Sequence, residues 1–135
     1  MINAQNLSAE LLEQTIFEQR NIKPIRDYEG NLKIFVEGRE CYIIPFGGNH
    51  ISLLSPSKTS ADSTYTRAQA LTVANAVGQD LALGISAYVD EEDLVIFTSS
   101  ISIADGLLKS SFVKIVLAFI VACAIHDATM RKNAA

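Results

Sequence analysis

The apolar positions along this chain change their rhythm several times. After Ser8, Leu11, Leu12, Ile16 and Phe17 recur at the spacing of one helical face, while Glu10, Glu13, Gln14 and Glu18 look outward. Ser8 is a suitable N-cap, Glu10 sits in the first turn where the helix dipole favours an anion, and Pro24 stops the helix after Ile22. Beyond Pro24 short runs are separated by Glu29-Gly30-Asn31, Glu37-Gly38-Arg39 and Gly47-Gly48-Asn49. Leu32, Ile34 and Val36 alternate with Lys33 and Glu37, and Tyr42, Ile44 and Phe46 alternate with Cys41 and Ile43. This pattern predicts an antiparallel meander of strands over 25–28, 32–37, 40–46 and 50–54, with Pro45 marking an edge or a bulge near the end of the third.

Residues 55–65 are small, polar and turn-forming, so a mobile loop is expected there. Thr66-Arg67-Ala68-Gln69 fits a capping box and opens a second helix with Ala70, Leu71, Ala74 and Val77 inward, ended by Gly78. A hairpin follows. Leu81, Leu83, Ile85, Ala87 and Val89 share one face of its first arm, and Val95, Phe97, Ser99, Ile101 and Ile103 alternate along the second. A third helix is expected from Ser110 to about Met130, with Phe112, Ile115, Phe119, Ile120 and Cys123 on one apolar face. Val113, Val116, Leu117, Val121 and Ile125 make its flanks apolar too, and a helix apolar nearly all round is buried on more than one side. A second copy of the protein would supply the missing cover. Ala118 and Ala122, four apart, would let another helix approach closely, so a homodimer contact is expected there.

The resulting picture is an α+β fold, one domain over residues 1–135, with an antiparallel sheet of meander plus hairpin packed with three helices in the order α-βββ(β)-α-ββ-α. The uncharged stretch from Ile115 to Ile125 is shorter than the ~20 apolar residues of a bilayer span, so a core helix is expected and no membrane span. Nothing in Met1 to Ala9 resembles a basic stretch followed by an apolar run, which points to a cytoplasmic location. A composition of 49% hydrophobic and 19% charged residues excludes a disordered polyelectrolyte, and the net charge of -4 argues against nucleic acid as a partner.

Candidate chemistry is sparse. Cys41, His50, Cys123 and His126 include only one closely spaced pair, whereas a zinc site draws on two, so no metal or other cofactor is expected. Asp90-Glu91-Glu92-Asp93 lacks the spaced ligands and glycine of a calcium loop and is read as a solvated turn. His126 and Asp127 are adjacent on a helix and point about 100° apart, so the acid cannot readily orient the imidazole for nucleophilic catalysis. Gly47-Gly48 precedes a strand rather than a helix and so lacks the features of a phosphate cradle. No catalytic constellation emerges, and an enzyme is not expected.

The order of elements, Ala74-Asn75, the hairpin Ile85-Ser86-Ala87-Tyr88-Val89-Asp90 with Asp93-Leu94-Val95-Ile96, and the apolar helix from Leu107 to about Ile125 resemble the YbjN family of bacterial sensory transduction regulators. Asn75, Asp90 to Asp93, Phe112 and Phe119 occupy the places of that family's asparagine, acidic turn and helical aromatics. The resemblance implies a fold like that of type III secretion chaperones and a non-enzymatic protein that dimerises and holds another polypeptide. Leu11, Ile16 and Phe17 on the first helix with Phe35 and Ile44 on the meander are the candidate partner contacts, against ordinary core packing for each. The alternative is a small-ligand sensor or small hydrolase with a pocket between the sheet and the last helix.

Overall fold

Ser8 starts the first helix as its sequence foretells. In the computed structural model, which describes residues 1–45, 48–57, 68, 70–72, 74, 84–92 and 94–134 with side chains to 128, α1 spans Ala9–Arg20. The Ser8 hydroxyl accepts from the Leu11 amide at 3.1 Å, and Asn21, at φ 55°, closes the other end by donating its amide to the Phe17 carbonyl. Leu12, Thr15 and Ile16 are the buried residues of α1. Thr15 can lie inside because its hydroxyl donates to the Leu11 carbonyl at 2.7 Å.

The strands are β1 Ile25–Arg26, β2 Leu32–Val36, β3 Arg39–Pro45, β4 His50–Pro56, β5 Ser86–Val89 and β6 Val95–Ser102. They form one six-stranded antiparallel sheet in the order β1-β2-β3-β4-β6-β5, so the meander and the hairpin are joined through β4 and β6. β1 is shorter than the alternation predicts. Asp27 leaves the strand to build the turn, its Oδ1 accepting from the Glu29 and Asn31 amides, both at 2.9 Å. Asp90 does the same for the β5–β6 turn, accepting from Glu92 and Leu94 at 2.9 Å. Between β2 and β3, Glu37 and Gly38 both have positive φ, 52° and 79°, the twist of a two-residue hairpin turn closed by Val36 opposite Arg39.

Register fixes which side chains share a face. Leu32 lies opposite Ile43, Ile43 opposite Leu53, and Leu53 opposite Ser99, while Ile34 faces Cys41 and Ser55 faces Phe97. This row joins Leu12 and Ile16 of α1 and the buried residues of the last helix in one core. That last helix, α3, runs Lys109–Ala134, a turn longer than expected, and at 1.5 Å per residue is about 39 Å long. Between β4 and β5, the described residues from 68 to 74 are helical and are labelled α2; Ala70 and Ala74 are buried, but Leu71 is exposed, contrary to the expectation that it faces inward. With alanines as the contact, α2 turns the bulkier side chain out. Phe46, the loop from residue 58, the capping box apart from Ala68, Asn75, Val77 and Gly78, Leu81 to Leu83, and Asp93 lie outside the described residues.

The N-terminal residues are pinned as well. Ile2 is fully buried and pairs with Leu107 through two backbone hydrogen bonds of 2.7 Å. Gly106, at φ 83°, makes this possible, because a β-carbon there would come within 2.6 Å of the Met1 sulfur.

Candidate functional site

The face of α3 that meets the sheet carries Phe112, Val113, Val116, Phe119, Ile120 and Cys123. Ile115, assigned to this face from its spacing, is 38% exposed and lies at the outer edge. The rotation of α3 agrees with a contact that its apolar pattern does not reveal. Asp127, one turn past Cys123, is buried and paired with Arg39 Nη2 through Oδ2, while the Ser57 hydroxyl donates to Oδ1. Arg39 Nη1 reaches the Pro56 carbonyl at 3.3 Å and Ser55 Oγ at 3.4 Å, and Ser55 in turn donates to the Glu40 carbonyl at 2.7 Å. A guanidinium and a carboxylate are thus taken out of water together, each with further hydrogen-bond partners. Sequence reasoning missed this cluster, although Arg39 shares the inward parity of Cys41 and Ile43, and Asp127 the inward face of Cys123.

Around the cluster the chemistry is quiet. Burial pushes the thiols of Cys41 and Cys123 up to about 12 each, so both are protonated at neutral pH. His126 stacks on Phe97 at a centroid distance of 6.1 Å, and Asp127 turns to Arg39. Among the described residues, no three His, Cys, Asp or Glu side chains come together in a way that could hold a metal.

Surfaces offer more. On α1, Phe17 is 49% exposed beside a groove of about 460 Å³ lined with Glu10, Glu13, Lys23, Pro24 and Arg26. Arg26 crosses from the edge strand β1 to Glu13 at 2.6 Å and to Glu10 at 3.6 Å, and the hydrogen bond it donates to the Glu13 carboxylate holds its pKa above the usual value. On the outward face of the sheet, Lys33 bridges to Glu40 at 3.2 Å and lies over the rings of Phe35 and Tyr42. The outer line of α3, through Lys114, Ala118, Val121, Ile125 and Ala128, is exposed. It borders a second groove, of about 690 Å³, between α3 and the β2–β3 turn. The stretch Lys109–Ala128 is long and apolar enough to cross a membrane, but its inner side completes the core of the sheet.

The residues expected to meet a partner are dispersed over these surfaces. Phe17 and Phe35 are exposed, on α1 and on the outward sheet face, and Leu11 and Ile44 are half-buried. Ile16 belongs to the core, at 2% exposure, because the inward face of α1 centres on Leu12, Thr15 and Ile16. Of the pair expected on the dimer contact, Ala118 is exposed and Ala122 is buried.

No protein-family model matches the chain, and no curated protein matches it in sequence. Solved structures do. Its fold is similar to that of a type III secretion chaperone, SycH of Yersinia pestis, solved in complex with a stable fragment of YscM2. The TM-score is 0.59 at 12% identity, covering 87% of this chain and 97% of that one. An uncharacterised protein from Methanothermobacter thermautotrophicus is similar over 96% of this chain and all of its own, with a TM-score of 0.66 at 14% identity. The chain therefore has a type III secretion chaperone-like α+β fold.

Proposed function

We propose that this protein is a non-enzymatic binding module that acts in the cytoplasm as a single-domain homodimer and holds a segment of another polypeptide, in the manner of the YbjN regulators it resembles. The observation that carries this reading is Phe17, an aromatic ring half in water on α1, at a groove whose far wall is the two-residue edge strand β1. Apolar side chains beside an open strand edge suit an extended segment, which gains main-chain hydrogen bonds from the edge and side-chain burial from the groove. The fold shared with SycH, itself solved with a bound protein fragment, supports the same reading. Glu10 and Glu13 are balanced in the groove by Arg26 and Lys23, which favours an amphipathic segment over a strongly charged one.

The test is affinity capture from the protein's own cell extract, with the wild-type chain beside Phe17→Glu and Phe35→Glu. A stoichiometric polypeptide retained by wild type and reduced at least ~10-fold by Phe17→Glu is expected, since exposed aromatics at binding sites carry much of the energy. Equal retention by all three chains, or none by wild type, would refute the reading.

A further inference from the structure

The outer line of α3 needs an occupant of its own. Between Ser110 and His126 it carries a single charge, Lys114, and Val121 and Ile125 stand 58% and 61% exposed at its centre. Beside it runs the groove whose other wall is Val36 and Glu37, with Leu117, Ala124 and Ala128 along the helix. Of the charges that line the groove, Arg39 and Asp127 are already spent on each other, which leaves Glu37 at the rim. Lys114 stands two turns before Val121, and Ala128, which lines the groove with Glu37, two turns after it.

We infer that two copies of the protein pair through α3 in antiparallel fashion, about a two-fold axis at Val121, so that Lys114 of each copy meets Glu37 of the other. The inference deepens the homodimer of the preceding section and rests on it. Charge complementarity selects this arrangement. Antiparallel pairing about Val121 brings Lys114 of one copy level with Ala128 of the other, beside the exposed Glu37 at the rim of the groove, and the two-fold axis makes the same pair twice. A parallel pairing sets the two Lys114 side chains against each other instead. Ala118 and Ala124 flank the axis, and their small side chains let the helices approach while Val121 and Ile125 of one copy enter the groove of the other. A helix pair with one groove on each side is at the small end of stable interfaces, so the dimer is expected with a dissociation constant on the order of micromolar.

Sedimentation equilibrium from sub-micromolar to hundred-micromolar protein tests it. Val121→Glu, at an exposed position, should remain folded by circular dichroism and become monomeric. Lys114→Glu and Glu37→Lys should each weaken the dimer about tenfold by setting like charges together, and the doubly reversed chain should recover to within about threefold of wild type. Val121→Cys should form a disulfide-linked dimer with oxidised glutathione, the two thiols giving up two electrons and two protons, while Cys41 and Cys123 stay out of reach in the core. A wild-type chain that is monomeric throughout would overturn both this arrangement and the homodimer. A dimer indifferent to Val121→Glu, or one in which double reversal rescues nothing and Val121→Cys does not cross-link, would overturn the α3 pairing and leave the homodimer standing. A monomer that floats with phosphatidylcholine vesicles would assign the stripe to lipid and overturn it as well.

Discussion

Arg39 and Asp127 meet where neither could remain alone. Their side chains are 6% and 5% exposed, and removing one leaves the other charged and buried. Asp127→Ala should therefore cost about 3–5 kcal/mol in urea unfolding, a large share of a small domain's stability. Arg39→Met with Asp127→Val, which removes both charges at nearly the same total volume, should recover most of that loss. The two thiols make a second prediction. Both have folded pKa values raised above the ordinary 9.0, to about 12, so their contribution to stability is present in full below pH 9 and is lost as pH rises toward 12. Unfolding free energy should fall by about 1.4 kcal/mol per pH unit for each thiol across that window, and Cys41→Ala should remove about half of the slope. Urea titrations at several alkaline pH values check the sign: a flat profile would contradict it.

Among the elements, α1 shows how local signals and tertiary packing divide the work. Its start was readable, since Ser8 acts through a backbone group three residues away, whereas its end, expected at Ile22 before Pro24, comes at Arg20 because Asn21 takes the left-handed cap first. Ser8→Ala should lower thermal stability by about 1 kcal/mol, with the rest of the molecule unchanged, as followed by calorimetry. The strands of the meander were readable for the same reason: alternation gives 32–37 and 40–46 where the structure has Leu32–Val36 and Arg39–Pro45. Phase is harder. Ile115 was placed inward because α3 is apolar on nearly every side, and such a pattern does not specify which side meets the sheet. The Arg39–Asp127 pair, 88 residues apart in sequence, marks the side that the structure chooses. The candidate contacts on α1 divide likewise, Ile16 inward and Phe17 outward, because adjacent residues sit 100° apart on a helix and Thr15, satisfied by Leu11, takes the inward place that Phe17 was given.

At the scale of the whole molecule, the type III secretion chaperone-like fold was legible from the order of elements, while the joining of meander to hairpin was not. Pairing of β4 with β6 spans residues 57–94, and nothing local to either strand names the other. Sedimentation of the wild-type chain decides between dimer and monomer, and the charge-reversal pair decides whether α3 forms the contact. The same long connection orders the assembly of the chain in time. Hairpins of β2, β3 and β4 need only short loops to close, whereas β4–β6 must close a long one, so the first should lead in refolding. Ile34→Val should slow refolding in stopped-flow experiments, and Ile101→Val should chiefly hasten unfolding. On the ribosome the consequence is sharper. Until β6 has left the exit tunnel, the edge of β4 stays unclaimed, and for the span of some forty residues of synthesis the nascent chain offers a strand to any passing partner.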